Sequence, residues 1–548
     1  MGHPVARAAA AGRPVSAEQL AGTIGAVIDE RAADSESRPF ITCSGATIAY
    51  GDFAERVWRL TGALAELGVR PGDKLCLFLP NGLPFALTMF AAARLGMPFV
   101  PAHAQFTARE VRYVLQHADV VIVVVDAERL PLVQEIRDEC PLLRHVVVIG
   151  GSGGASVTAF DDLMRAPARP DVRADVAPGD PAGILYTSGT TGPPKGAVLT
   201  HRGYLLNATA FAERTALSGD DVLFCVLPLA HLNAQRSSLL PAAFTRARLV
   251  LAERFSAGGF WPSVRAHDVT FFSVMPTVIS ILLQQPPSPE DRDHRVRLCV
   301  TPITRPLLDA FEARFGIPVV NTYGLTEGML NVMNFIDAAR RRPGAIGKPL
   351  LPEMHRVRIV DEQDRDVPTG TAGEIVLQSP AVMSGYYKDA DATARAMRGG
   401  WLHTGDLGHL DDEGFLHFVG RKKEMIRRGG ENIAPSEIES VLATHPGVRE
   451  AVVVGVPDAL REEEVKACVV LADGEDVKSV PPAVLLDHCA ARLAAFKVPR
   501  YVEYRREFPR TPTLRVQRHK LTGLPSDDGA SVFDRVTGQW RTGHEENG

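Results

Sequence analysis

The feature that most constrains this chain is a repeated alternation, near its start, of amphipathic helical stretches with short, wholly apolar strand patterns. Phe53 to Leu67 carries apolar residues at helical spacing and stops at Gly68; Lys74 to Leu79 is a buried-strand pattern closed by Pro80-Asn81-Gly82. A second round runs from the helix around Leu87–Leu95 to the strand 98–101, and a third joins Ala108–His117 to Val120–Val125. A strand that is apolar on both faces must be covered on both faces, so these rounds predict parallel α/β layers. Gly150–Gly154 and Pro167–Pro181 read as surface linkers. From about Arg356 to Val419 shorter strands (Val357–Val360, Glu374–Leu377, Phe415–Val419) alternate with turn clusters and predict a small β-rich subdomain. Beyond Gly420 the pattern is mixed again, with a strand at Glu450–Val456 and a helix around Val484–Leu493.

At 548 residues the chain is long enough for several cores. Its 60 Lys+Arg against 65 Asp+Glu leave a net charge of −5, which argues against nucleic-acid binding through a broad basic face and against a polybasic membrane anchor. The seven cysteines form no CxxC pair and no zinc spacing, and the longest uncharged runs, 75–93 and 269–289, are broken by prolines and amide residues and do not read as a membrane span. The expectation is a cytoplasmic protein with reduced thiols and neither a nucleic-acid nor a membrane partner. Arginine outnumbers lysine by roughly five to one, so each lysine that remains is informative.

The chemistry concentrates in Ile184-Leu-Tyr-Thr-Ser-Gly-Thr-Thr-Gly-Pro-Pro-Lys-Gly-Ala-Val198. A strand feeds a loop of Thr187, Ser188, Gly189, Thr190, Thr191 and Gly192, and then Lys195. Glycines admit a ligand close to the backbone, hydroxyls and amides donate hydrogen bonds, and lysine adds a point charge; together they suit a polyphosphate. Pro194 and Gly196 flank the lysine, which excludes a Walker loop.

In this segment the chain resembles the adenylate-forming acyl-CoA synthetase superfamily, and the likeness continues in order over roughly residues 40 to 521. Tyr323-Gly-Leu-Thr-Glu327 looks like the second nucleotide motif. The resemblance implies that Thr322, Tyr323 and Gly324 border the nucleotide, Thr326 meets a phosphate and Glu327 binds Mg²⁺. Trp401-Leu-His-Thr-Gly-Asp406 matches the segment whose aspartate holds the ribose, and Arg421, in Gly420-Arg-Lys-Lys-Glu-Met-Ile-Arg-Arg-Gly-Gly-Glu-Asn-Ile433, matches the arginine beside it. Lys423 falls at the hinge, and Gly429-Gly430 resembles the pantetheine face. Leu227-Pro-Leu-Ala-His231 resembles the motif beside the acyl pocket, which His231, Asn233 and Met329 would line.

The implied fold is α/β: a large N-terminal domain of two α/β subdomains plus a small β-barrel-like subdomain (40–420), after an entry tail (1–39), followed by a small mobile α+β C-terminal domain (421–548). The implied activity is an acyl-CoA ligase using Mg²⁺, ATP or acyl-AMP, and CoA as thiol. A mostly apolar pocket lining points to a hydrophobic or ring-bearing acid.

Two segments depart from the family pattern. Pro509-Arg-Thr-Pro-Thr-Leu-Arg515 places Leu514 where glycine, and Arg515 where the adenylation lysine, is expected. A planar guanidinium does not replace a compact ammonium in a tight site. Leu298 to Leu307 holds no glycine where relatives carry a glycine-rich strand against adenine. Both fall on the adenylation side. The expectation is therefore an enzyme biased to thioester formation, supplied with adenylate by a partner adenylating ligase. A complete ATP-dependent synthetase with Arg515 tolerated, or rescued by Lys520, and a silent AMP-binding homologue stand as alternatives.

Overall fold

The computed structural model describes residues 22–154, 156–187, 193–429, 431–458, 460–510, 516–524 and 531–541. The chain divides into two compact units, one of Met1–Ile303, Ala310–Val357 and Leu377–His403, the other of Thr304–Asp309, Arg358–Val376 and Thr404–Gly548.

The first unit holds two large sheets. In the eight-stranded sheet, Lys74–Phe78 lies between parallel neighbours Phe99–Ala102 and Val120–Asp126, and the latter pairs in parallel with His145–Ile149. All but the last residue of Val120–Asp126 is buried, as expected of a strand covered on both faces. The connecting helices start on definite signals. Ala108–His117 begins with a full capping box, Thr107 accepting from the Glu110 amide while Glu110 accepts from the Thr107 amide. Thr200 caps His201–Thr215. Helix Leu83–Arg94 is apolar almost all round and buried throughout beyond its first turn.

The stretch Pro167–Pro181 is not a loose linker. The buried Arg94 guanidinium donates to the carbonyls of Pro170 (2.9 Å) and Val172 (3.3 Å), and Asp29 completes its shell. A buried cation needs those acceptors, so the irregular segment is held against the helical layer.

The second large sheet has seven strands in the order Val319–Val320, Leu298–Val300, Phe271–Ser273, Val222–Cys225, Arg248–Leu251, Pro39–Cys43, Ala46–Ala49. All its pairings are parallel except the last. From Val222–Cys225 the chain moves to one side, to Arg248–Leu251, and then returns to the other side, to Phe271–Ser273 and onward. The carboxyl ends of Val222–Cys225 and Phe271–Ser273 therefore flank a topological switch point, where α/β sheets open a crevice.

In the second unit, Arg358–Val376 and Thr404 onward contribute to a four-stranded sheet ordered Arg356–Val360, Gly373–Gln378, Leu402–Leu410, Leu416–Arg421. The C-terminal part is a mixed sheet centred on Glu462–Leu471, antiparallel to Val448–Asp458 and parallel to Tyr501–Arg505, with helices Pro435–Leu442 and Pro482–Ala490. Lys466 and Glu503, both fully buried, form an ion pair at 2.5 Å, and Lys466 also donates to the carbonyls of Leu521 and Gly523. None of the seven cysteines is in a disulfide. Among the described residues no helix is long and apolar enough to cross a membrane.

Candidate active site

In the first unit, the segments after Pro181–Thr187, Val222–Cys225 and Val319–Val320 follow carboxyl ends of strands with parallel neighbours. Pro181–Thr187 runs parallel to Phe99–Ala102 and returns antiparallel through Lys195–Thr200, with Thr187 opposite Lys195. Ser188, Gly189, Thr190, Thr191 and Gly192 lie outside the described residues. Tyr113 Oη donates to the Pro194 carbonyl at 2.8 Å, fixing the approach to Lys195.

Glu327 meets this hairpin. Its Oε1 accepts from Tyr386 Oη at 2.9 Å and lies 3.5 Å from Thr187 Oγ1. Lys195 Nζ sits 5.1 Å from the centroid of the Tyr386 ring. Burial, and then the Glu327 charge, push the Tyr386 phenol up, so it stays a donor at neutral pH. The strand Gly385–Tyr386 pairs with Ala197 and Val198, which delivers the tyrosine to this point.

Thr326 and Glu327 occupy the turn between antiparallel strands Thr322–Leu325 and Met329–Met333. The turn is tight: a Cβ on Gly324 would stand 2.2 Å from the Met329 carbonyl oxygen, and Met329 itself takes φ +61°, the left-handed region that long side chains avoid. Thr322 and Tyr323 are buried, and Thr326 and Glu327 half-buried. The glycine-free segment Leu298–Leu307 is clamped from the same place. Asn321 Oδ1 accepts from the Ile303 amide at 3.0 Å, and Asn321 Nδ2 donates to the Ile303 carbonyl at 3.0 Å.

His231 follows the carboxyl end of Val222–Cys225. Its ring stacks on His103, centroids 5.1 Å apart, and its Nε2 is buried with no partner among the described residues. Burial, and then His103, lower its pKa to about 4, so it is neutral at pH 7. Asn81 holds the preceding segment, donating to the carbonyls of Leu227 and Ala252 and accepting from the Leu229 amide at 2.7 Å. Asn233 spans the crevice: it accepts from Ser273 Oγ at 3.2 Å, and its Nδ2 lies 3.7 Å from Met275 Sδ. Met329, Leu330 and Asn331 are buried.

In the second unit, Asp406 and Arg421 are register partners across a β-hairpin. Their ion pair is long, 3.6 Å from Arg421 Nε to Asp406 Oδ1, with the aspartate buried and the arginine exposed. Lys423 is exposed in the 3₁₀ turn Lys422–Glu424. Gly429 takes φ +58° between the paired strands Ile426–Arg428 and Glu431–Ile433. Gly430, Leu514 and Arg515 lie outside the described residues. The flanks of 511–515 are tied: Arg510 bridges to Val516 and pairs with Glu450, while Arg518 pairs with Glu424 and Glu439.

Sequence reasoning missed Tyr386, Asn321, His103 and Asn81. Only Asn81 carried a local signal, and that signal read as a turn.

The fold and the family models together put the chain among adenylate-forming enzymes. The chain belongs to the AMP-binding enzyme family: that family's model matches residues 28–387, and the model of the AMP-binding enzyme C-terminal domain matches 437–514. It is 34% identical over 500 residues to the crotonobetaine/carnitine–CoA ligase of Salmonella typhi, covering 89% of this chain and 96% of that one. Among solved structures it is similar to an anthranilate CoA ligase in complex with anthranoyl-AMP (TM-score 0.86, 27% identity, covering 92% and 97% of the two chains). It is also similar to ATP-bound MatB from Rhodopseudomonas palustris (TM-score 0.83, 28% identity, 92% and 98%). The protein is an acid–thiol ligase of the AMP-forming, acyl-CoA synthetase type.

Proposed function

We propose that this enzyme makes a CoA thioester from a hydrophobic or ring-bearing carboxylic acid through an acyl-adenylate, and that it is biased toward the second half-reaction. The observation that carries the reading is the constellation of Glu327, Tyr386, Thr187 and Lys195. A carboxylate is a poor electrophile. In the first step one of its oxygens attacks the α-phosphorus of ATP, the bond to the bridging oxygen breaks and pyrophosphate leaves. In the second step a thiol attacks the acyl carbon, loses its proton, and the bond to AMP breaks.

Lys195 and the Thr187 hydroxyl would bind phosphate oxygens, and Thr326 would join them from the adjoining turn. Tyr323 would border adenine; Asp406 would accept from the ribose hydroxyls, with Arg421 beside it; Lys423 is the proposed hinge between 40–420 and 421–548. Among the described residues no group of three or more His, Cys, Asp or Glu could hold a metal. One carboxylate among hydroxyls nevertheless suits Mg²⁺, which keeps most of its water and binds through one or two carboxylates plus substrate phosphates. Glu327 would hold it, and its chemistry is to neutralise phosphate charge. His231, neutral at pH 7, lines the acyl pocket with Asn233 and Met329, and Gly429-Gly430 borders the pantetheine path.

The bias rests on Leu514 and Arg515, which stand where the resemblance expects glycine and the adenylation lysine. A partner ligase would then supply the adenylate. The second reading, a complete synthetase, is favoured by the tied residues on either side of 511–515, Arg510 with Val516 and Arg518 with Glu424 and Glu439. Acyl-CoA yield from ATP plus acids is compared with yield from preformed acyl-adenylates. Product from the adenylates alone supports the bias, product from both gives the complete synthetase, and product from neither removes the ligase reading.

A further inference from the structure

The crevice between Val222–Cys225 and Phe271–Ser273 is roofed by an unusual element. After His231 the chain makes one turn of helix, Leu232–Ala234, and then a π-helical stretch, Gln235–Leu239, which packs on both strands. π-Helical turns concentrate at functional sites. This one buries four consecutive polar residues, Gln235, Arg236, Ser237 and Ser238. Gln235 is satisfied by Tyr204 Oη and the Leu229 carbonyl.

Arg236 is not. It is 9% exposed, its Nη1 is buried without an acceptor, and no carboxylate or carbonyl pairs with its guanidinium among the described residues. Burial alone lowers its pKa, to about 10, so it stays a cation. The other buried arginines among the described residues each keep a carboxylate partner, even where a guanidinium nitrogen lacks a hydrogen bond: Arg31 pairs with Glu30 and Asp34, Arg94 with Asp29 and two carbonyls, Arg428 with Glu464. An uncompensated buried cation is costly in the free protein. It makes sense where a ligand brings the missing anion.

We propose that Arg236 is a specificity residue that binds a second, unactivated carboxylate on the acyl substrate, so that the preferred acid is a dicarboxylic acid. The proposal rests on reading this crevice as the acyl pocket. Arg236 lies three residues beyond Asn233, in the π-helical stretch that packs on both strands, and Asn233 bonds across the mouth between them. The nucleotide has its own donors, Thr187 and Lys195, on the other large sheet. The reacting carboxylate is a poor match, because a guanidinium fork would occupy the oxygens that must attack phosphorus, and its charge disappears on adenylation. A distal carboxylate keeps its charge through both half-reactions. The fixed cation of betaine acids, such as those in the name of the Salmonella relative, would face Arg236 with like charge.

The test uses the full chain and three shape-matched ligands: the sulfamoyl-adenosine mimics of 4-carboxybenzoyl-, 4-carbamoylbenzoyl- and 4-methylbenzoyl-adenylate. Binding is measured by calorimetry, and acyl-CoA formation is measured from the corresponding acids and adenylates. The carboxylate ligand is expected to bind roughly 10- to 100-fold more tightly than its amide isostere. Arg236→Met should abolish that preference while leaving the methyl ligand bound, and Arg236→Lys should keep part of it. Equal or weaker binding of the carboxylate by the wild type overturns the proposal, as does a preference that survives Arg236→Met. Should Arg236→Met not fold, the wild-type ratio and Arg236→Lys decide. A carboxylate preference in binding without thioester from any substrate would sink the ligase reading and leave the Arg236 assignment standing.

Discussion

The Tyr386 hydroxyl donates to Glu327 Oε1 at 2.9 Å, joining two residues 59 positions apart in the chain. That bond fixes a carboxylate that lies 3.5 Å from Thr187 Oγ1 on the hairpin Pro181–Thr187/Lys195–Thr200. Tyr386→Phe should lower ATP-dependent acyl-CoA formation roughly 10-fold, the worth of one hydrogen bond to a charged group, with an unchanged circular dichroism spectrum. Glu327→Gln should cost roughly 100-fold or more in the same assay. Wild-type turnover in Tyr386→Phe would show that the hydroxyl does not position Glu327.

If the proposed bias holds, installing the glycine and lysine that the resemblance expects at 514 and 515 should raise the adenylation step. The double substitution Leu514→Gly, Arg515→Lys is expected to raise pyrophosphate release from ATP and acid, and to leave thioester formation from a preformed adenylate within about two-fold. An unchanged pyrophosphate rate would mean that Arg515 does not limit adenylation.

The turn carrying Thr326 and Glu327 has no room for a side chain at Gly324, where a Cβ would stand 2.2 Å from a carbonyl oxygen. Gly324→Ala should destabilise the first unit by about 3 kcal/mol, read as a lower urea midpoint at unchanged slope. A midpoint equal to the wild type would show that the turn can open without cost.

Three buried histidines, His201, His231 and His355, have their pKa values lowered from 6.5 to about 4, in each case mainly by burial. In the unfolded chain they protonate as pH falls through 6.5; in the folded protein they resist until about 4. The unfolded state therefore binds more protons in this window, and stability is complete above pH 6.5 and declines as pH falls toward 4. Urea midpoints at pH 7.5, 6, 5 and 4.5 should fall progressively, and His201→Gln should flatten the decline. A flat profile would contradict the burial-driven shifts.

In the second unit, Lys466→Met leaves Glu503 as a buried charge without its ammonium partner. The expected loss is about 3–5 kcal/mol, measured by denaturation, with the first unit's transition unmoved. The arginine beside Glu503, Arg505, offers some compensation, so Lys466→Arg should recover part of the loss.

Much of this architecture is local in origin. A strand such as Val120–Asp126, apolar at every position but its last, can only be a covered parallel strand, and Thr107 with Glu110 starts a helix wherever the chain goes. The order of the Ile184–Val198, Tyr323–Glu327 and Asp406 motifs likewise carries the family likeness in the sequence itself. Tertiary structure decided the partners. Tyr386 reaches Glu327 because Gly385–Tyr386 adds to the edge of a hairpin; Asp406 meets Arg421 through the register of another; Asn321 clamps Ile303 from the next strand. Arg236 looks, in sequence, like one more arginine in an arginine-rich chain, and only the fold shows it buried and unpaired over the switch point. The physical reason is that periodicity and caps report how a residue meets its own segment and the solvent, whereas a hydrogen bond or an unmet charge depends on which distant segment packs opposite it.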